Sequence, residues 1–233
     1  MLAKPSQDHM SDHLANRLAE AARYAVLCRL MPVLRHDVAG AMQPPRMLLM
    51  VLQKSLQVSD PDRQAIEKNV AAISALTKQA TISCMSALSW IASRDDECVS
   101  LRSGVDEAIA LLAMEFSVNG MTLDNTIEDD AKVPQTFLRS VLMGALLAFC
   151  DQHAEGGNLR VSFKPATAES NAPGQIQLQL QRPLGAANKL PELQNVLCRS
   201  RLIQWTDVQA MAEASSVQMT RGDGWLSLGL PRS

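Results

Sequence analysis

The sequence predicts an α+β protein, an N-terminal helical hairpin followed by an α/β sandwich. Three observations carry this. Apolar residues recur at steps of three and four as far as Ile91, which is the period of a helix. Residues 159–163 and 176–180 then alternate strictly between apolar and polar, the period of a strand with one covered face. Turn chemistry separates these stretches, at Gly120, at Gly156-Gly157 and at Arg221-Gly222-Asp223-Gly224.

The 233 residues suffice for one large domain or two modest ones. With 47% apolar and 20% charged residues, the composition is that of a folded chain and not a disordered one. Aromatics make up only 3%, and the abundance of Ala, Leu and Met favours helix packing. A net charge of -2 predicts no general attraction to nucleic acid or to a membrane surface. Five scattered cysteines (Cys28, Cys84, Cys98, Cys150, Cys198) include no C-x-x-C pair. That pattern predicts reduced thiols, with neither a disulfide framework nor a zinc site. The first ten residues lack the apolar core of a signal peptide, and no apolar run reaches the length of a membrane span, so a cytoplasmic location is expected.

Residues 1–10 are expected to form a flexible tail, and residues 11–94 the hairpin domain. Ser11 is a candidate N-cap with Asp12 near the positive end of the helix dipole. Leu14, Leu18, Ala21, Ala22, Ala25 and Cys28 follow at helical spacing as a stripe to be buried. Pro32 should kink or restart this helix, and Pro44-Pro45 should distort it again, because proline removes a donor and crowds the preceding turn. Residues 58–61 form the turn, with Asp60 as cap and Pro61 at the first helical position. Ile66, Val70, Ile73, Thr77, Ala80, Cys84, Ala87 and Ile91 then make a bundle seam. Leu76, Ile82, Met85 and Leu88 widen it beyond what one partner helix covers, so two hairpins are expected to pair as a homodimeric four-helix bundle. The other way to cover that face is docking against the second half of the same chain.

Residues 95–233 form the sandwich domain, with the acidic Arg94-Asp95-Asp96 as boundary. A short strand at 98–101 precedes a helix capped by Ser103 and stopped at Gly120. A strand at 121–127 leads to a helix opened by Pro134 and ended by Gly156-Gly157. The two alternating strands follow, with polar loops at 166–174 and 183–191. A last helix starts at Trp205-Thr206-Asp207, and a hairpin joins 217–219 to 225–228. The order is β-α-β-α-β-β-α-β-β, an antiparallel-rich sheet with helices on one face.

The chemistry-bearing stretch is Leu34-Arg35-His36-Asp37-Val38-Ala39-Gly40-Ala41-Met42-Gln43-Pro44-Pro45. Imidazole is nucleophilic while neutral near pH 7, and an adjacent carboxylate can hold its second nitrogen. His36 is the candidate nucleophile, Asp37 the group that orients it, and Arg35 either a phosphate contact or a solvated helix charge. An ordinary surface histidine is the competing reading. His9 and His13 stand at i, i+4 with no further ligand, and His153 at a helix C-terminus is structural.

A His-Asp pair in a hairpin ahead of this α/β order resembles the sensor histidine kinases. In those proteins a dimerisation and phosphoacceptor hairpin precedes an ATP-binding sandwich of the Bergerat type. Asp37 falls where that family has an acidic residue beside the phosphoacceptor. Residues 142–149 are similar to the helix that supplies paired asparagines for magnesium-ATP, 157–161 to the strand after it, and 225–231 to the final strand. Gly144 and Ala148 replace those asparagines, and neither can ligate a hard cation, which needs oxygen donors. Gln181-Arg182-Pro183 stands in place of the adenine-reading Asp-x-Gly turn, and no Gly-rich lid precedes the last helix. The sandwich is therefore a degenerate histidine-kinase-like one with no ATP expected.

The combination resembles the histidine phosphotransferases built on a kinase scaffold. That resemblance implies ATP-independent relay of a phosphoryl group between response-regulator aspartates through His36. It implies no cofactor of the chain's own, the magnesium being carried by the partner receiver domain, and no nucleic-acid or membrane partner. Gly40 occupies the place where family members that are also phosphatases carry Thr or Asn, which points to transfer and away from hydrolysis. The alternative is a non-catalytic scaffold or antagonist that binds a response regulator or another signalling protein.

Overall fold

The computed structural model describes residues 7–91, 97–128, 131–153, 156–166, 174–182 and 201–231, with side chains from His13 onward. The protein is α+β. Its contacts separate Leu30–Ala92 from a second unit made of Met1–Arg29 together with Ser93–Ser233.

Helices α1 (Gln7–Leu56) and α2 (Arg63–Ile91) form the hairpin, α1 beginning four residues ahead of Ser11 and entering the first of these units at Leu30. Helix α1 is continuous through Pro32, Pro44 and Pro45, so it does not restart at Pro32. Each interior proline costs about 3 kcal/mol, so the turns on either side must hold the helix across it. Pro44 and Pro45 have no N–H, so the carbonyls of Gly40 and Ala41 lose their i+4 donors. Helix α2 is capped by Asp62 and not by Asp60. The Asp62 carboxylate accepts the N–H groups of Gln64 and Ala65 at 2.9 and 3.2 Å, which leaves Pro61 just outside the helix.

The α/β unit opens with β1 (Cys98–Ser100), whose last residue caps α3 (Leu101–Val118). Ser100 Oγ accepts the Ser103 N–H at 3.1 Å, so the cap lies three residues before the Ser103 that the sequence suggested. Leu101, Val105, Ala108, Leu112 and Phe116 give α3 its buried face. The helix ends at Gly120, whose φ of 68° is the left-handed turn that glycine adopts without strain. Strand β2 (Met121–Asn125) follows, then β3 (Lys132–Pro134), which the sequence did not reveal and which pairs antiparallel with β1.

Pro134 starts α4 (Gln135–Phe137), which passes through a π-helical turn (Leu138–Leu142) into α5 (Met143–Gln152). Eight consecutive α5 residues from Met143 to Cys150 are buried, so this helix is covered all round. Strands β4 (Gly157–Lys164) and β5 (Gln175–Gln181) extend the two alternating segments. Helix α6 (Trp205–Ala214) begins in a capping box between Gln204 and Asp207, and the hairpin β6 (Met219–Gly222) and β7 (Trp225–Gly229) closes the chain. The sheet order is β2-β4-β5-β7-β6, parallel between β2 and β4 and antiparallel elsewhere. Leu159, Val161, Ile176, Leu178, Leu226 and Leu228 face the core, while Gln175, Gln177 and Gln179 take the alternate positions of β5. The expected loop at 183–191 and the acidic boundary at 94–96 lie outside the described residues.

The N-terminal part of α1 belongs to this unit and packs through Ala19, Ala22 and Val26. This corrects the stripe read from the sequence, in which only Ala22 is fully buried, while Leu14 and Leu18 are more than half exposed. Two helical stripes coexist on this segment, and the α/β unit takes the one with the smaller side chains.

Candidate functional site

Helical geometry places successive residues about 100° apart, so Arg35 and Asp37 flank His36 on either side of α1. Leu34 is buried and turns inward, whereas Arg35, His36 and Asp37 are all exposed. The His36 side chain is 79% accessible and that of Asp37 57%. His36 Nδ1 lies 3.4 Å from Asp37 Oδ1, a long contact that suits a proton on Nδ1. In that tautomer Nε2 carries the free lone pair and faces solvent. The structure thus brings His36 and Asp37 together and leaves Arg35 as an exposed neighbour on the same turn.

One turn further on, Gly40 shares the His36 face. A Cβ built there meets nothing within 4 Å, so open space adjoins the imidazole. Gly40→Ala should therefore raise the stability of the hairpin by about 0.5–1 kcal/mol, through backbone entropy alone. A thermal melt with an upward shift in Tm checks this.

The positions that the resemblance assigns to metal-nucleotide binding look different. Ala148 is fully buried. A Cβ on Gly144 would collide with the Cε methyl of Met211 from α6 and lie 3.5 Å from Val26 Cγ2 of α1. Apolar side chains fill this place, and they offer no oxygen donor to a hard cation. The residues present do not fit magnesium-ATP.

A polar cluster that the sequence did not disclose lies beside that helix. The Arg29 side chain, 4% accessible, donates from Nε to Glu115 Oε1 at 2.6 Å and from Nη2 to Asp151 Oδ1 at 2.7 Å. Asp151 Oδ2 also accepts the Ile203 N–H at 2.8 Å, so one carboxylate ties α5 to α1 and to the segment before α6. Burial pulls the Arg29 guanidinium down, but Glu115 and Asp151 outweigh it and hold its pKa above the ordinary value. Burial raises the Glu115 carboxyl, with Arg29 offsetting part of the rise. Next to them the Cys150 thiol is pushed up to about 12, by burial first and then by Glu115 and Asp151. It is an unreactive thiol. Cys28, Cys84 and Cys98 are likewise free, and Cys198 lies outside the described residues. His153 is the C-cap of α5, with its ring 5.4 Å from that of Phe149. Among the described residues no helix is long and apolar enough to cross a membrane.

No family model matches the sequence, and no curated protein matches it. Among solved structures it is similar to the Acinetobacter baumannii histidine kinase AdeS, at 13% identity over 80% of this chain and 95% of that one, with a TM-score of 0.41. It is similar to a bacterial phosphotransferase at 15% identity, over 87% of this chain and 94% of that one, with a TM-score of 0.36. A third is the histidine kinase ThkA in complex with the response regulator TrrA, at 12% identity over 99% of this chain and 68% of that one, with a TM-score of 0.40. At these values the likenesses are weak, and the functional reading rests on the residues of the chain itself.

Proposed function

We propose that the chain is an ATP-independent histidine phosphotransferase that relays a phosphoryl group between response-regulator aspartates through His36. The observation that carries this reading is the exposed imidazole with its Nδ1 beside the Asp37 carboxylate and its Nε2 open. In the forward step Nε2 attacks the phosphorus of a receiver's aspartyl phosphate. The N–P bond forms as the P–O bond breaks, and the receiver's aspartate leaves as carboxylate. Asp37 holds the Nδ1 proton and steadies the positive charge that the ring acquires. The reverse step delivers the group to a second receiver. Magnesium comes with the receiver, so this chain contributes position and a nucleophile.

The same reading places the working unit as a homodimer. Met47 and Met50 on α1, with Ile82, Met85 and Leu88 on α2, are each more than half exposed in one hairpin. That much exposed apolar surface on the two helices favours an interaction role, and pairing with a second hairpin as a four-helix bundle would cover part of it.

Incubation with a phosphorylated receiver domain tests the proposal. The expected product is a phosphoprotein stable in base and labile in acid, as a phosphohistidine is and an aspartyl phosphate is not. If no receiver transfers label, the scaffold reading takes its place.

A further inference from the structure

We infer that the N-terminal part of α1 is a built-in cover on the α/β unit. It occupies the α5 face at which a kinase-like sandwich would hold nucleotide, and Arg29 latches it there. The inference rests on the kinase-like reading of α5 and is independent of His36.

Three observations converge on it. Ala19, Ala22 and Val26 of α1 are at most 1% exposed, which fixes the packed side of the segment. Val26 Cγ2 and the Met211 side chain both close over Gly144, so α1 and α6 meet on α5 at the first of the two positions where oxygen donors would be needed. Three residues beyond Val26, Arg29 is buried between Glu115 of α3 and Asp151 of α5. A guanidinium that pairs with two carboxylates holds its helix in one register, because sliding would strand the buried guanidinium and two half-buried acids. Small residues on the covering face let the helix lie close, and the glycine beneath receives it. The sandwich is therefore closed to nucleotide by packing as well as by the absence of ligands.

Restoring the two α5 ligands tests the cover, with the adenine-reading turn and the lid still absent. Gly144→Asn combined with Ala148→Asn supplies both side-chain oxygens on α5, and magnesium-ATP is then titrated by calorimetry into the full chain. No heat of binding is expected from the variant or from wild type, together with a lowered Tm for the variant, because an asparagine at 144 meets Met211 and Val26. Binding by either protein would overturn the inference.

Hydrogen–deuterium exchange on wild type gives a readout that does not depend on the variant folding. Amides of residues 19–29 should be protected by about 100-fold or more relative to a free helix, in step with those of α6. Ala22→Gln, a polar side chain set into the covered face, should cut that protection by about 10-fold. Free exchange over 19–29 in wild type, or protection unmoved by Ala22→Gln, would sink the idea. Neither readout involves phosphoryl transfer at His36, so a failure of that transfer leaves both measurements standing.

Discussion

Arg29→Ala should destabilise the α/β unit by about 3–5 kcal/mol, the usual cost of removing one partner from a buried ion pair. The loss is large because two carboxylates depend on this guanidinium. Without it Glu115 and Asp151 remain half-buried near each other as like charges, with the Ile203 N–H still donating to Asp151. Urea unfolding followed by tryptophan fluorescence reads the effect, since Trp205 and Trp225 both lie in this unit. Arg29→Lys should recover only part of the stability. An ammonium is a point charge and cannot present a planar fork to two acids at once. A change below about 1 kcal/mol, the range of an exposed surface pair, would mean that Arg29 is solvated in solution.

The same cluster shows where sequence reasoning stops. Nothing local to Arg29 signals Glu115 or Asp151, which lie 86 and 122 residues away. A lone arginine in a helical apolar run reads equally as a solvated charge until the fold brings its partners to it. The strand β3 was hidden for a related reason. It has three residues, only Val133 is fully buried, and its ladder partner β1 lies earlier in the chain beyond α3 and β2. Periodicity needs a longer window than that. On α1 the difficulty was ambiguity, because Leu14–Leu18 and Ala19–Ala22–Val26 both keep helical spacing, and only tertiary contact decides which is covered.

Elements whose signals are local were legible. Strands β4 and β5 follow their alternation, and the stop at Gly120 follows from a glycine free to take its φ of 68°. The β6–β7 hairpin is present, with its strand at Met219–Gly222 in place of 217–219 and the turn narrowed to Asp223-Gly224. Caps slipped by two or three residues, at Asp62 and Ser100, because several serines and aspartates near each helix start can accept the same N–H groups. The His36–Asp37 pair was legible because the two residues are adjacent. The filling of Gly144 was not, since the sequence shows the missing asparagine but not the Met211 and Val26 that take its room.

His36→Ala should abolish phosphoryl uptake from a phosphorylated receiver while leaving the fold intact. The side chain is 79% exposed, and alanine is the best helix former, so stability should be unchanged or slightly higher. Loss of label with an unaltered melt therefore assigns the nucleophile and excludes collapse of the hairpin. Asp37 supplies the graded control. Its contact with Nδ1 is long and solvent-screened, worth about 0.5–1.5 kcal/mol, so Asp37→Ala should slow transfer by roughly 2- to 10-fold without eliminating it. Asp37→Asn keeps an oxygen that accepts the Nδ1 proton but removes the charge that steadies the phosphorylated ring. It should therefore fall between the alanine variant and wild type. Label retained by His36→Ala would move the acceptor elsewhere on the chain. An Asp37→Ala rate equal to wild type would show that the His36 tautomer is set by solvent and not by the carboxylate beside it.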